Sequence, residues 1–269
     1  MRKALLTLTA VLFPFVLSAR ERAFADEPPQ VAQATAQPPA VPTEMTSGLE
    51  DEHPGYENYS SLVLDWGLVR MRNAPESISP GMLSSRFIDI GLFYNIPLGQ
   101  TGITASPGIG LGYDTYKLSD ESGEEPGVYT LKRARTSRRA RLVPVGQLLD
   151  DDKNASSFLD TRYLDFIFEM RINTNAKYPK EGFFAAIGFK LGSFLGAHTT
   201  LHYQEDEQRK ERIDKESFHI EPLRYGWQTR LGWKRFGLKY TQILSGLFDN
   251  QGPKSGVRPH SLAVSVDLF

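Results

Sequence analysis

Between Leu62 and the C-terminus apolar side chains return at every second position, in eight separate segments, and this period of two restricts the chain to a fold made of strands. The first segment sets Leu62, Leu64, Trp66 and Leu68 on one face and Val63, Asp65, Gly67 and Val69 on the other. The same two-sided pattern runs through 87–96, 103–114, 163–172, 183–192, 223–234, 236–241 and 261–268. One face of each segment is apolar and carries the aromatics Trp66, Tyr94, Tyr113, Tyr225, Trp227, Trp233 and Tyr240. The other face is rich in glycine, serine and charge.

The connections alternate as well. Residues 98–102, 173–182 and the surroundings of Arg235 form short turns, whereas 73–86, 119–162, 204–217 and 245–259 form long loops. Strands joined alternately by short turns and long loops, with an apolar face bordered by aromatics, predict an eight-stranded antiparallel up-and-down transmembrane β-barrel of the bacterial outer membrane. Turns then lie in the periplasm and loops outside. A soluble barrel would turn its apolar face inward. The glycines at 108, 110 and 112 share the polar face and suit the crowded lumen of a narrow barrel. A secreted β-sandwich is the plainer alternative. The closing strand is 259–269, pairing with the first near Leu62–Leu68, although Phe269 falls out of phase with the apolar series Leu262 to Leu268.

Composition is compatible with that fold. A mean hydropathy of -0.35 suits a barrel, because lumen-facing polar residues dilute the lipid-facing ones. The net charge of -1 argues against nucleic acid as a partner, and the absence of cysteine excludes disulfides and thiolate metal sites. Arg2 and Lys3, the apolar run Ala4 to Ala19, and Ala23-Phe24-Ala25 read as a cleavable export signal over 1–25, with Ala19 as an earlier possible cut. Residues 26–58, with Pro28, Pro29, Pro38, Pro39 and Pro42, read as a disordered periplasmic linker, followed by the barrel over 59–269.

Charges on the inward face form the candidate site. The acids are Asp65, Asp89, Asp114, Asp165, Glu169 and Asp267; the bases are Arg171, Lys190, Arg224, Arg230, Lys234 and Lys239. With eight strands, the first faces the fifth and the second the sixth, so Asp65 is expected toward Lys190 and Asp89 toward Arg224. The expected role is structural, a paired charge network filling the lumen, because confined charges are costly unless paired. A narrow polar pore for small solutes is the functional alternative.

Loop charges and histidines complete the inventory. Lys132, Arg133, Arg135, Arg138, Arg139 and Arg141 precede Asp150, Asp151 and Asp152, and this run, like 205–215, reads as solvated loop; contact with lipopolysaccharide phosphates is its functional counterpart. His198 and His202, close to Thr199, Thr200 and Glu205, are the candidates for lipid deacylase chemistry or metal binding. No serine–histidine spacing matches a nucleophile arrangement, and further metal ligands are not identifiable. Neither catalysis, cofactor nor metal is therefore expected.

The stretches FIDIGLFYNIPLG (87–99), SPGIGLGYDTYKL (106–118), YLDFIFEMRINTN (163–175), LGSFLGAHTTLHYQ (191–204) and RYGWQTRLGW (224–233) resemble the PorT-like family of outer-membrane β-barrels. The resemblance spans about Tyr59 to Phe269. It implies an eight-stranded barrel without catalytic residues, and in some members a part in secretion or gliding machinery. For a barrel of this kind the expected partners are outer-membrane lipid and lipopolysaccharide, the barrel-assembly machinery during insertion, and an envelope protein partner.

Overall fold

The computed structural model describes residues 58–75, 84–120, 127–133, 139–148, 155–178, 180–205 and 208–268. The export signal (1–25), the linker up to 57 and Phe269 lie outside the described residues.

Three strands come first: β1 (Tyr59–Arg72), β2 (Arg86–Pro97) and β3 (Ile103–Lys117). The loop after them folds into a small sheet of β4 (Ser119–Asp120), β5 (Gly127–Arg133) and β6 (Ala140–Pro144). There follow β7 (Ser156–Asn173), β8 (Phe183–Glu205), β9 (Gln208–Asp214), β10 (Leu223–Trp233), β11 (Phe236–Ile243) and β12 (Arg258–Asp267). The order β10-β11-β12-β1-β2-β3-β7-β8 is antiparallel throughout, and β8 pairs back onto β10, which closes eight strands into a barrel. The closing contact of β12 runs along β1 from Val63↔Asp267 to Arg72↔Arg258.

Exposure follows the two-residue period. On β2, Ile88, Ile90, Leu92 and Tyr94 are each more than 40% exposed, while Phe87, Asp89 and Phe93 are buried. The apolar face therefore points away from the barrel axis and the charged face into it, the reverse of a soluble barrel.

The short turns are built by residues that tolerate positive φ. In the β2–β3 turn, Gly99 (φ 62°) and Gly102 (φ 74°) occupy the left-handed region that an L side chain resists. Between Trp233 and Phe236 only Lys234 and Arg235 remain, and Lys234 takes φ 54°, as a two-residue hairpin turn requires. Lys234 is thus an exposed turn residue with its Nζ 5.1 Å from the Trp233 ring centre, not part of the lumen. The inward phase ends one residue before it, because the turn breaks the alternation.

Two long-loop segments depart from the expected pattern. The 119–162 connection was expected to be loop, yet β7 starts at Ser156 and β4–β6 fill much of the rest. β8 runs for 23 residues, and at Arg162↔Gly196 and Tyr163↔Phe194 its register slips, leaving Leu195 as an extra bulged residue. Phe194 is the last inward residue before the bulge; past it the faces exchange, so Ala197, Thr199 and Leu201 point inward while His198 and His202 point outward.

The long-loop end is closed by an apolar core. Val69, Phe87, Tyr116, Tyr163 and Ala263 rise from the barrel wall, and Leu118, Leu131, Phe218, Ile220, Leu247, Phe248 and Val257 descend from the loops onto them. Leu131 and Val257 are completely buried. Backbone hydrogen bonds stitch the loops together: Ala140 N donates to Gln251 O (3.0 Å), Glu221 N to Leu247 O (3.0 Å) and Leu247 N to Val257 O (2.7 Å).

Candidate functional site

Beneath this cap, barrel residues of one phase bring a charged layer together. Arg224 of β10 is its upper member. Its Nη1 donates to Asp114 Oδ2 (2.7 Å), its Nη2 to Asp165 Oδ2 (2.7 Å) and its Nε to Asp165 Oδ1 (3.0 Å), so Asp165 is held in a bidentate grip. The guanidinium also lies 3.9 Å from the Tyr163 ring centre. Glycines make room for it: a Cβ on Gly112 or Gly192 would strike the Arg224 side chain and Asp165.

Two lysines continue the layer. Lys190 Nζ lies 2.8 Å from Asp89 Oδ2 and 3.0 Å from Asp165 Oδ2. Lys239 Nζ lies 2.7 Å from Asp65 Oδ2 and 3.2 Å from Asp89 Oδ2. Lower still, Arg230 Nη2 sits 3.3 Å from Glu169 Oε1 and 3.5 Å from Asp65 Oδ2. Gln228 donates to Glu169 and Ser265 to Asp65. Asp65, Asp89 and Asp165 are each shared between two cations, and Asp114 and Glu169 each meet one arginine, which is how charge is tolerated away from water.

The expected partners are exchanged. Asp65 meets Lys239 and Arg230 rather than Lys190, and Asp89 meets Lys190 and Lys239 rather than Arg224. The cause is shear. From Asp65 the pairing line runs through Asp89, Gly112 and Tyr163 to Phe194 of β8; in the other direction it runs through Ser265, Gly237 and Gly232 to Phe184 of the same strand. The circuit therefore returns ten residues away, from 194 to 184. Strands tilted to this extent bring together residues that do not share a sequence level.

Arg171 and Asp267 belong to the short-turn end. Arg171 Nε donates to Asn173 Oδ1 (2.7 Å), and its guanidinium stacks 3.6 Å from the Phe184 ring centre. Asp267 is half-buried and pairs in register with Val63. Sequence reasoning missed two layers between these and the charges. Val63, Phe93 and Ile167 form an apolar cluster, and Asn95 links Ser61 (3.0 Å) to Ser106 (2.6 Å) below it. All six share the inward phase, which was the available signal; an eye on charge alone passes over them.

The lumen is filled. Lys239, Lys190 and Asp165 are each 3% exposed or less. Between the charged layer and the cap a cavity of about 20 Å³ remains, bounded by Asp89, Lys190, Arg224, Tyr116 and Ser261 among others. That is space for about one water molecule.

The histidines are placed elsewhere. His198 Nε2 lies 3.2 Å from Asp160 Oδ2, and Thr115 donates to Asp160 Oδ1 (2.7 Å), all on the outward face. His202 packs edge-on against Phe158, 6.2 Å between ring centres. His219 Nδ1 lies 3.2 Å from Asp249 Oδ2 within the cap. Among the described residues no three His, Asp or Glu side chains are grouped to hold a metal. Of the basic loop run, Lys132 is half-buried and Arg139 and Arg141 are exposed; Arg135, Arg138 and Asp150–Asp152 lie outside the described residues.

A closed barrel with an apolar exterior, a charged and paired interior and loops gathered at one end defines a transmembrane barrel of the outer-membrane class. Residues 59–250 match the family described as outer membrane protein beta-barrel domain, and the chain belongs to that family. It is a protein of the bacterial outer membrane. No curated protein matches it. A solved structure described as "Asymmetric conductivity of engineered proteins" is similar over 79% of this chain and 100% of that one, at 9% identity and a TM-score of 0.21. So slight a likeness carries nothing over to this chain.

Proposed function

We propose that this protein is a sealed outer-membrane barrel with a structural or interaction role carried by its extracellular loops, neither a solute channel nor an enzyme. The observation that carries the reading is the filled lumen: charged side chains locked to one another below, and an apolar cap above. A conducting barrel needs a continuous water path, and eight strands enclose only enough space for side chains. Beyond the lipid-facing wall, in contrast, the extended β8 pairs with β9, a polar strand that projects Ile213, 49% exposed, on the outward face.

PorT-like membership belongs to this reading and rests on the segments that resemble that family. So do the cleaved signal over 1–25, the linker over 26–58, contacts with lipopolysaccharide and the assembly machinery, and an envelope protein partner. Photocrosslinking in intact cells tests the interaction role. A photoreactive residue at Ile213 is expected to trap one discrete protein partner, and one at Leu92, on the lipid-facing wall, only lipid. Loss of the protein with no change in envelope integrity, and no adduct at Ile213, would overturn it.

A further inference from the structure

On the outward wall the apolar series gives way to arginine at the long-loop end. On β1 the series Leu62, Leu64, Trp66, Leu68 continues as Arg70 and Arg72; toward the loops, Ile88 on β2 is followed by Arg86, and Leu164 on β7 by Arg162. On β12, Leu262 is followed by His260 and Arg258. All five arginines are exposed, and their neighbours Val69, Phe87 and Tyr163 are inward and at most 3% exposed, which fixes the direction of the side chains. β3, between β2 and β7, adds Lys117 on the same face.

Pairing brings these charges side by side. Arg72 is opposite Arg258, Arg70 opposite His260, and Arg86 opposite Leu68. Like charges directly across a ladder repel. Among the described residues none of the five arginines forms an ion pair; Arg162 lies over the Tyr113 ring at 5.7 Å. Asp160, the acid on this face, is held by His198 and Thr115. His260 Nδ1 has no hydrogen-bond partner. On the other three strands the corresponding outward residues are Leu223 and Tyr225 of β10, Gln242 of β11 and Leu195 of β8, without a cation. The charge is an arc on one side, not a uniform girdle.

We propose that this arc is a binding site for phosphate-bearing anionic lipid of the outer leaflet. Arg70 stands two residues beyond Leu68, roughly 7 Å along the strand, which sets it at the depth of headgroups while the apolar wall below receives the acyl chains. Unpaired guanidiniums present forked donors suited to phosphate oxygens. The inference rests on the membrane setting and is independent of whether the lumen conducts.

The three tryptophans report on it, because Trp66 lies under the arc whereas Trp227 and Trp233 lie on β10, outside it. Full-length protein is refolded in phosphatidylcholine vesicles carrying brominated-chain lipid, either anionic phosphatidylglycerol or zwitterionic phosphatidylcholine. With Trp227→Phe/Trp233→Phe, Trp66 quenching is expected to show at least about a threefold preference for the anionic lipid. With Trp66→Phe, the β10 pair is expected to show none. Arg70→Ser/Arg86→Ser/Arg162→Ser, folded by heat-modifiable gel mobility, is expected to abolish the preference at Trp66. Equal quenching of Trp66 by both lipids, an equal preference at both sets of tryptophans, or a preference that survives loss of the arginines would each overturn the proposal. The comparison between tryptophans needs no arginine variant, so it stands even if the triple variant fails to insert.

Discussion

Lys239 of β11 reaches Asp65 of β1 at 2.7 Å, across the intervening strand β12, whose inward residue at that level is Ala263. The two are 174 positions apart in sequence, so the pair forms only when the barrel has closed. Lys239 thus ties the closing strands together from inside.

Removing one partner of such a buried pair strands the other. Lys239→Met is expected to cost about 3 to 5 kcal/mol, and Lys239→Met/Asp65→Asn less than the sum of the two single changes. Urea unfolding of vesicle-inserted protein, followed by tryptophan emission, measures both. Additive losses would show that the two side chains do not depend on each other.

Gly112 and Gly192 leave the space that Arg224 and Asp165 occupy. Gly112→Ala is expected to destabilise the barrel by about 1 to 3 kcal/mol through overpacking, in the same unfolding assay. At Gly196, where a Cβ would meet nothing within 4 Å, the same substitution is expected to be near neutral.

The cap should loosen without the barrel. Leu131→Ala removes a fully buried side chain from β5 and is expected to cost the cap about 2 to 5 kcal/mol. Limited proteolysis of inserted protein should then cut the long loops faster than in wild type, with gel mobility of the remaining barrel unchanged. Equal cutting rates would place Leu131 outside any cooperative cap.

Enzyme chemistry makes a separate demand. His198 and Asp160 sit on the outward face with Thr115, where they pack the extended β7–β8 sheet. Lipid A mass spectra from cells with and without the protein are expected to be identical. A species lost on deletion of the protein, and lost again with His198→Ala, would assign them to catalysis.

What could be read from sequence follows from what period two encodes. Asp65, Asp89, Asp114, Asp165, Glu169, Lys190, Arg224, Arg230 and Lys239 were legible as inward because each keeps phase with its strand. Their partners were not, since shear is a property of the closed ring and no single strand records it. Lys234 was misplaced because a two-residue turn ended the phase one position earlier. His198 faces outward through the bulge at Leu195, which the alternation hides. Leu118, Phe218 and Phe248 lie in irregular segments and Leu131 on the short β5, none within the eight alternating stretches, and only their convergence makes a cap. The arginine arc is legible in sequence as the continuation of the outward series beyond Leu68, Ile88, Leu164 and Leu262.

Planar-bilayer recording on the refolded full-length chain tests the central claim, that the lumen is sealed. No stable conductance step is expected at either polarity, and one is expected to appear when the Arg224 layer is opened by Arg224→Ala together with Leu131→Ala. A large, long-lived ohmic conductance from the wild-type protein would contradict it.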